Sequence, residues 1–384
     1  MPQSMLRLSI PNLPQEAIDR TVAVLRSGQL VHGTEGEAFE VELAQHLGAR
    51  HAVLVSSGTA ALHLALVALG IGAGDSVLVP NFTFPATGNV VKLVGAQPVL
   101  VDVDPSSYCI TSASASAALG RWRSRGDGTR LRAVIPVHEF GHPVDMVELS
   151  AWAEKEGLVV IEDAACAIGA HSGRRPVGTF GAIGCFSLHP RKTLTTGEGG
   201  LLISDSDDLV RRLRRLRSHG MERTSAGMVF HEAGYNYRLT NLQSALGRAQ
   251  LPHLGDWIAA RRELATSYHE ALESFAASGY LVRPASCEGH SWQTYMVVLA
   301  DWLDRAAVVK ALAADGIEGN LGAQCLSELP PFQGLAASED DMRHARRLYR
   351  QGLALPFCEQ YGSEEVGRVV AALGRAIEHS QRSA

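Results

Sequence analysis

The sequence predicts an α/β fold, in which a mainly parallel sheet has helices on both faces and a smaller C-terminal α+β domain follows. Up to about residue 250, short runs rich in valine, isoleucine and leucine alternate with helical patterns. Parallel strands that are buried on both faces have this near-continuous apolar pattern. Because domains span roughly 100–200 residues, the length of the chain favours two of them. We therefore place a large domain at 1–250 and a small domain at 251–384.

The apolar runs of the large domain predict its strands in chain order: HAVLV (51–55), SVLVP (76–80), PVLVDVD (98–104), LRAVIPV (131–137), LVVIED (158–163), GCFSL (184–188) and GGLLIS (199–204). Helical patterns follow most of them, among them SGTAALHLALVALG, FPATGNVVKLVG, a stretch near 144–156 and DLVRRLRRLRS. Sheets of this kind place ligand-binding groups on the loops at the carboxyl ends of their strands. The polar clusters of this sequence follow its strands, so we expect the functional site there.

Beyond residue 250 the pattern changes to that of a smaller α+β domain. A long helical pattern leads into two strands, YLVRP and TYMVVLA. The predicted helices lie at roughly 253–278, 303–314, 341–353 and 363–379.

Composition excludes several classes of protein. The net charge is −5 and 46% of the residues are hydrophobic, which argues against disorder and against nucleic acid or a membrane surface as the main partner. No segment reaches the roughly 18 uncharged apolar residues that span a bilayer, and the N-terminus lacks the apolar core of a signal peptide. The six cysteines form no CxxC pair, so a disulfide framework is not expected. We therefore expect a cytoplasmic protein, and we interpret RRLRRLR (211–217) as an amphipathic helix rather than a nucleic-acid patch.

The scarcity of lysine narrows the search for lysine chemistry. Three of the lysines lie in helical patterns, whereas the fourth, Lys192, follows a buried strand in CFSLHPRKTLTTGEGG (185–200). A partly desolvated lysine beside cations such as Arg191 and His189 has a lowered pKa and can form an imine with a carbonyl group. The four lysines are Lys92, Lys155, Lys192 and Lys310.

The segment SSGTAAL (56–62) lies between a strand and a helix. Its small residues and hydroxyl groups place free backbone N–H groups at a helix N-terminus, where phosphate binds well. An ordinary N-cap is the alternative interpretation, because serine and threonine fill that role equally well. The candidate phosphate-binding residues are Ser57, Gly58, Thr59 and Ala60.

Two acidic residues, Glu162 and Asp163, end the strand VVIED. A carboxylate there either points into the crevice at the sheet edge or caps the next helix. With Lys192 and the phosphate-binding segment, a carboxylate in the crevice suggests pyridoxal 5′-phosphate (PLP), which needs an imine-forming lysine, a carboxylate for its pyridine nitrogen and a phosphate cup. Phe84 in NFTFPAT offers an aromatic face for the ring, and Asn236 and Arg238 precede a helix, either as ligand contacts or as part of an entry loop.

The segment HEFGH (138–142) matches the HExxH metalloprotease pattern. That chemistry needs both histidines on one face of a helix. Here the segment follows a predicted strand, contains Gly141 and runs into Pro143, and the residue before a proline is biased away from the helix. We therefore predict no metal site.

Taken together, the motifs resemble those of the DegT/DnrJ/EryC1/StrS family of PLP-dependent sugar aminotransferases, which have the aspartate aminotransferase fold type I. The resemblance covers about residues 11–375 and runs through SGTAALHLAL, NFTFPAT, VLVDVD, IEDAA, FSLHPRKTLTTGEGG, RSHGM and GYNYRLTNLQSALG, in the family's order. It implies a seven-stranded sheet and a homodimer with shared sites.

The resemblance also implies a role for each site residue. Lys192 would carry PLP and move the proton, Asp163 would pair with the pyridine nitrogen, and Phe84 would stack on the ring. Asn236 would reach the phosphate bound by the neighbouring subunit. The other expected cofactor contacts are Ser57, Gly58, Thr59, Ala60, Cys166, Ser187 and His189.

Two positions depart from the family pattern. Cys166 stands where the family usually has a glutamine that touches the cofactor's phenolic oxygen, and a thiol is a poor hydrogen-bond donor. Ser327, in GAQCLSELPPF (322–332), stands where related members tend to have a histidine. The first departure implies either a shifted pKa of the imine or room for an unusual substrate, and the second implies a remodelled substrate pocket.

The expected reaction is an amino transfer. An amino acid, for which we expect L-glutamate, converts PLP to pyridoxamine 5′-phosphate, which then aminates a ketone on a nucleotide-linked sugar or a cyclitol. The alternatives are a PLP-dependent lyase, dehydratase or C–C bond-forming enzyme on the same fold and, more remotely, a regulatory homologue without catalysis.

Overall fold

The computed structural model describes residues 5–126, 128–336, 338 and 340–383. It confirms the predicted class, because a large sheet is covered by helices and a smaller sheet follows. The helices are α1 Gln15–Ser27, α2 Thr34–Leu47, α3 Gly58–Ala68, α4 Ala86–Leu93, α5 Ser112–Arg125, α6 Met146–Lys155, α7 Asp207–Arg217, α8 Asn241–Arg248, α9 Leu254–Ala271, α10 Glu273–Ala277, α11 Arg305–Ala314, α12 Arg343–Gln351 and α13 Ser363–Ser383.

The strands include all seven that the apolar runs of the large domain predict. They are β1 His51–Val55, β2 Asp75–Pro80, β3 Phe82–Thr83, β4 Gln97–Val101, β5 Arg130–Val134, β6 Val159–Asp163, β7 His171–Ser172, β8 Arg175–Pro176, β9 Ile183–Ser187, β10 Gly200–Ser204, β11 Met221–Thr224, β12 Gly227–Phe230, β13 Leu281–Val282, β14 Tyr295–Leu299, β15 Gln324–Cys325 and β16 Gly352–Leu355.

The large sheet has seven strands in the order β1-β10-β9-β6-β5-β2-β4. All neighbouring pairs from β9 to β4 are parallel, whereas β10 is antiparallel to both of its neighbours. The carboxyl ends of β9, β6, β5 and β2 therefore meet at one edge of the sheet. This edge carries the loops that follow those four strands.

Both faces of the sheet are buried, which explains the near-continuous apolar runs. Because side chains alternate along a strand, Val77 and Val79 of β2 pack with α3, α4 and α7, whereas Leu78 between them packs with α5 and α6. In the same way, Leu54 of β1 lies in the cluster that includes Phe39 of α2. Burying one such side chain contributes about 1.5–3 kcal/mol, so this covered sheet is a rigid support for the loops at its edge.

The C-terminal part of the chain has its own apolar cluster around the sheet β13-β14-β16. Leu6 joins this cluster and pairs with Ile317, so the N-terminal segment packs against the C-terminal elements. Helix α9 contributes Leu254 to a cluster of the large sheet and Tyr268 to the C-terminal cluster. A domain boundary near residue 250 stays a prediction, and α9, which begins just after it, packs with both clusters.

The structure corrects one predicted helix and confirms another. The pattern over 253–278 forms two helices, because α9 ends at Ala271 and α10 begins at Glu273. The arginine-rich helix α7 is amphipathic, as predicted: Leu213 and Leu216 are buried, and two aspartates lie in its first turn. Buried Arg217 at its end pairs with Glu40 and donates to the carbonyl oxygen of Leu54. Among the described residues, no helix has the length and apolar character needed to cross a membrane.

Candidate active site

Lys192 lies in the loop after β9, at the sheet edge where the parallel strands end. The loop is fixed by the buried Gln250, whose side chain bonds the backbone N–H and the carbonyl oxygen of Thr195. The amino group of Lys192 donates to the sulfur of Cys166 at 2.8 Å. The other three lysines of the chain are exposed on helices, so Lys192 is the lysine that the fold holds in a crevice.

The predicted lowering of the Lys192 pKa is wrong for the chain by itself. Burial lowers this pKa, but Cys166 and the carboxyl groups of Glu139 and Asp163 outweigh it, and the pKa of Lys192 is raised. Arg191 is exposed and does not oppose this effect. Cys166, Glu139 and Asp163 therefore stabilise the protonated form of the Lys192 amine in the chain without a ligand.

Asp163 is the last residue of β6 and is buried. One carboxylate oxygen accepts from the hydroxyl of Thr87 at 2.8 Å, and the other accepts from the backbone N–H of Ala165 at 3.1 Å. No helix begins there, so the carboxylate shapes a turn rather than capping a helix. Burial raises the pKa of Asp163 despite these bonds. A cation placed against it, such as a protonated pyridine nitrogen, would compensate for that burial.

Glu162, the neighbour of Asp163 on β6, points to the opposite face of the sheet. Its carboxylate accepts from the backbone N–H groups of Gly178 and Gly181, both at 2.7 Å. The Nε2 atom of the buried His138 lies 3.1 Å from it. The Nδ1 atom of the same ring accepts from the backbone N–H of Val144, so Nε2 carries the proton and donates to Glu162. Glu162 therefore organises a loop, and only Asp163 faces the crevice.

The start of α3 supports both interpretations of the SSGTAAL segment. Ser57 caps the helix, because its hydroxyl accepts from the backbone N–H of Ala60 at 3.1 Å. Thr59 is exposed in the first turn. A Cβ added at Gly58 would lie 2.9 Å from the Cβ of Ser187, the last residue of β9. The close approach of these two segments forms a small cradle at a helix N-terminus, where the backbone favours an anion.

Three further predicted residues lie at the surface of the chain. Phe84, between β3 and α4, is 71% exposed. Asn236 is also exposed, and its backbone forms a bridge with Ser218. His189 is partly exposed, accepts from the backbone N–H of Arg191 and has a pKa that burial lowers. Arg238 donates to the hydroxyl of Ser218 at 3.0 Å, which anchors the loop before α8.

The HEFGH segment forms a short 3-10 turn over Glu139–Gly141. It is not an α-helix, which agrees with the expectation from the strand before it and from Gly141 and Pro143. His138 contacts Glu162, and the Nδ1 atom of His142 lies 3.0 Å from the carbonyl oxygen of Pro143. The two histidines therefore have separate partners. In the described part of the chain, no group of three or more His, Cys, Asp or Glu side chains is arranged to hold a metal ion.

Sequence reasoning missed Glu139 as a site residue. Its side chain is 3% exposed, and its Oε2 atom is buried without a hydrogen-bond partner in the structure. Burial raises its pKa to about 8, although the charge of Lys192 lowers it, and Asp163 raises it further. The one available signal was its position after the strand β5, at the same sheet edge as Asp163.

Ser327 lies beside the same edge. Asn81, which follows β2 and is fully buried, donates from its side chain to the hydroxyl of Ser327 at 3.0 Å and accepts from its backbone N–H at 2.8 Å. The short strand β15 pairs with β3 next to it. The 322–332 segment is therefore fixed to the strand that leads into Thr83 and Phe84.

The residues present fit PLP by three separate observations. Lys192 lies in the crevice among carboxyl groups, Asp163 is a buried carboxylate whose pKa burial raises, and Gly58 makes a cradle that a Cβ would fill. These groups come from α3, β6 and the loop after β9. The arrangement can hold a cofactor that has an aldehyde, a basic ring nitrogen and a phosphate.

Comparison with known proteins agrees with this geometry. The model of the DegT/DnrJ/EryC1/StrS aminotransferase family matches residues 11–374. GDP-perosamine synthase of Caulobacter vibrioides is 37% identical, with 88% of this chain and 89% of the relative covered. UDP-N-acetyl-3-dehydro-alpha-D-glucosamine 3-aminotransferase of Acidithiobacillus ferrooxidans is also 37% identical, with 98% of each chain covered. The crystal structure of a DegT DnrJ EryC1 StrS aminotransferase from Brucella abortus has a TM-score of 0.87 at 30% identity, covering 94% of this chain and 95% of that one.

Proposed function

The chain belongs to the DegT/DnrJ/EryC1/StrS aminotransferase family, and from that premise we propose that it moves an amino group from L-glutamate to a keto group of a nucleotide-linked sugar. Members of this family depend on PLP, so the chain is a PLP-dependent aminotransferase. The names of its relatives, one GDP-linked and one UDP-linked, support a nucleotide-linked acceptor. The observation that carries the proposal is the arrangement of Lys192 and Asp163 in one crevice.

Lys192 holds the cofactor in this proposal and moves the proton. When bound, PLP supplies an aldehyde carbon that takes the amino group and a ring that accepts the electrons of the adjacent bond. Lys192 is fixed by its loop and lies beside Cys166, so its amine would remain in the crevice as the acid and base of the reaction. There it would take a proton from one carbon atom of the bound ligand and return it to the neighbouring carbon atom.

The remaining residues orient the cofactor. Asp163 would pair with the ring nitrogen and keep a proton there, because a buried carboxylate stabilises a nearby cation. The backbone at Gly58, with the hydroxyls of Thr59 and Ser187, would hold the phosphate at the N-terminus of α3. Phe84 would cover one face of the ring.

We also propose a cytoplasmic homodimer in which each site uses residues of both subunits. Phe84, Met228 and Phe230 are each at least 60% exposed, and the last two lie on the hairpin β11–β12. Contact with another chain would bury these apolar side chains. Asn236, which follows this hairpin in the sequence, is exposed, and we expect it to contact the phosphate bound by the partner. The six unpaired cysteines support a reducing compartment.

The visible absorption spectrum of the protein with PLP tests the proposal. We expect an imine band that L-glutamate removes, with 2-oxoglutarate released in equal amount. Lys192→Ala should abolish the band while the protein stays folded, and Lys92→Ala, a change at an exposed side chain of α4, should leave it intact. An imine band that no amino donor changes would favour a lyase or dehydratase. Turnover by Lys192→Ala would contradict the role of Lys192.

A further inference from the structure

The side chain of Gln293 connects the C-terminal part of the chain to the loop that carries Lys192. Its amide nitrogen donates to the carbonyl oxygen of Arg191 at 2.8 Å, and its amide oxygen accepts from the hydroxyl of Thr294 at 3.0 Å. A carbonyl oxygen can only accept, so the NH2 group of Gln293 is the one that faces Arg191. The residue is 8% exposed, and water therefore competes little for this bond.

The bond acts on the peptide unit that joins Arg191 to Lys192. Gln293 holds the carbonyl oxygen of this unit. Its N–H, which belongs to Lys192, donates to the carbonyl oxygen of His189 at 2.8 Å. A peptide unit is planar, so two bonds on opposite sides of it fix the orientation of the plane. The direction in which the side chain of Lys192 leaves the backbone is fixed with it.

Two glutamines hold the loop, one on each side of Lys192. Gln250, which follows α8, bonds the backbone of Thr195. Gln293, which lies just before β14, bonds the residue that precedes Lys192. The catalytic lysine therefore lies between two fixed points of the backbone, and Gln293 provides the nearer one.

The backbone that presents Gln293 is strained. Trp292 has a φ of 53°, which is rare for a bulky residue. The backbone N–H of Ser291 donates to the carbonyl oxygen of Gly141 at 3.0 Å. That of Gln293 donates to the carbonyl oxygen of Phe140 at 2.9 Å. Strain of this kind persists only where the surroundings impose it, and it is concentrated at functional sites.

A buried ion pair holds the same segment from the other side. The Nη1 atom of Arg261 donates to the carbonyl oxygens of Trp292 and Gln293, both at 3.2 Å. Its Nη2 atom lies 2.8 Å from a carboxylate oxygen of Glu359, and both side chains are buried. A buried charge that loses its partner is costly. Arg261 is therefore kept in place, and the carbonyl groups around Gln293 are kept with it.

We propose that Gln293 is a positioning residue of the amino transfer, which acts through the carbonyl group of Arg191 to direct the amine of Lys192. The inference rests on the proposed role of Lys192. Without the bond from Gln293, the peptide unit before Lys192 is free to rotate. The long side chain turns a small rotation of the backbone into a larger displacement of the amine. A misplacement of about 1 Å at a reacting group costs up to about 100-fold in rate.

The small number of lysines allows this loop to be observed without the cofactor. Isotopic labelling of lysine alone gives one backbone amide signal in a nuclear magnetic resonance spectrum for each of the four lysines, and Lys192→Arg identifies the signal of Lys192. In Gln293→Leu, this amide should exchange its hydrogen with solvent roughly fivefold faster, which corresponds to the loss of about one hydrogen bond. The other three signals should not change.

Gln351→Leu is the matched control for this measurement. The side chain of Gln351 also donates to a backbone carbonyl oxygen, that of Asp301, at 3.2 Å. The same substitution there should leave the Lys192 amide as it is in the wild type. Equal exchange at Lys192 in Gln293→Leu and Gln351→Leu overturns the proposal.

The reaction with L-glutamate provides a second readout. In Gln293→Leu, the rate at which L-glutamate removes the imine band should fall roughly 10–100-fold. The concentration of L-glutamate that gives half of the maximal rate should stay nearly the same, because the change acts on the position of Lys192 and not on binding of the donor. A normal rate combined with faster exchange would show that Gln293 only stabilises the loop, and this result overturns the positioning role.

Gln293→Met separates the hydrogen bond from packing. Methionine has an unbranched side chain of similar length but no N–H group to donate. It should therefore share both defects of Gln293→Leu, and it decides if that variant does not fold. Wild-type exchange and rate in Gln293→Met overturn the proposal. If L-glutamate leaves the imine band of the wild type unchanged, the proposed function fails, whereas faster exchange at Lys192 in Gln293→Leu still shows that Gln293 sets the position of this lysine.

Discussion

Lys192 and Cys166 are in direct contact, with the amino nitrogen 2.8 Å from the sulfur. The loop after β9 provides the amine, and the turn after β6 provides the thiol. Burial raises the pKa of Cys166, so at neutral pH the sulfur is a thiol that accepts from the protonated amine. The contact therefore holds the lysine in place and makes it less ready to react as a free amine.

Removing the thiol should speed the reaction of the protein with PLP. In Cys166→Ala, the pKa of Lys192 should fall, because Cys166 is the largest influence that raises it. Each unit of that fall gives about tenfold more neutral amine. Stopped-flow absorption at several pH values measures the growth of the imine band. Cys358→Ala, a change at a buried cysteine that follows β16, is the control, and equal rates in both variants would contradict the prediction.

Asp163 and Glu162 should give opposite results when each loses its charge. Asp163→Asn should weaken PLP binding about 10–100-fold, which is the usual worth of a hydrogen bond between charged groups, and leave the melting temperature nearly unchanged. Glu162→Gln turns an amide toward backbone N–H donors at Gly178 and Gly181, so it should cost about 1–3 kcal/mol of stability. Titration with PLP and thermal unfolding separate the two. If Glu162→Gln were stable but bound PLP weakly, the assignment of Asp163 to the cofactor and of Glu162 to the loop would be wrong.

The neighbouring acidic residues show what the sequence alone predicts and what it does not. The end of a buried strand marked both Glu162 and Asp163, but only the register of β6 decides which one faces the crevice. Apolar runs predicted the strands well, because both faces of the sheet are covered. The direction of the Lys192 pKa shift was missed, since the contact with Cys166 depends on how two loops meet. Glu139 was missed for the same reason, because its burial comes from strands that are distant in sequence.

A methyl group at Gly58 should damage the phosphate-binding cradle. The added Cβ would lie 2.9 Å from the Cβ of Ser187, and overpacking of this kind costs about 1–3 kcal/mol. Gly58→Ala should therefore lower both the melting temperature and the affinity for PLP. Gly255→Ala is the matched control, because Gly255 lies in α9 with no atom within 4 Å of the added Cβ. Normal PLP affinity in Gly58→Ala would place the phosphate elsewhere.

Glu139 should make the stability of the protein depend on pH. Its pKa is about 8 in the folded chain, against 4.5 in a free side chain. Between these values the folded state holds a proton that the unfolded state has released, so stability falls as pH rises, by at most about 1.4 kcal/mol per pH unit. Glu139→Gln removes this titration. Thermal unfolding without PLP should show that the stability of the variant, relative to the wild type, increases as pH rises from about 4.5 to about 8 and does not increase further above that range. If the stabilities of the two proteins change with pH in the same way, the pKa shift of Glu139 is refuted.

Mixing two defective variants tests whether the sites are shared between subunits. Lys192→Ala has no lysine for the cofactor, and Asn236→Ala lacks the side chain proposed to reach the partner's phosphate. In a mixed dimer, one site combines both defects and the other has neither. Random mixing of equal amounts makes half of the dimers mixed, so about a quarter of the wild-type activity should return in a two-fold dimer. If each site were instead built from one subunit alone, every site in the mixture would contain one of the two defects. Activity equal to the average of the two separate variants would therefore show that Asn236 acts within its own subunit.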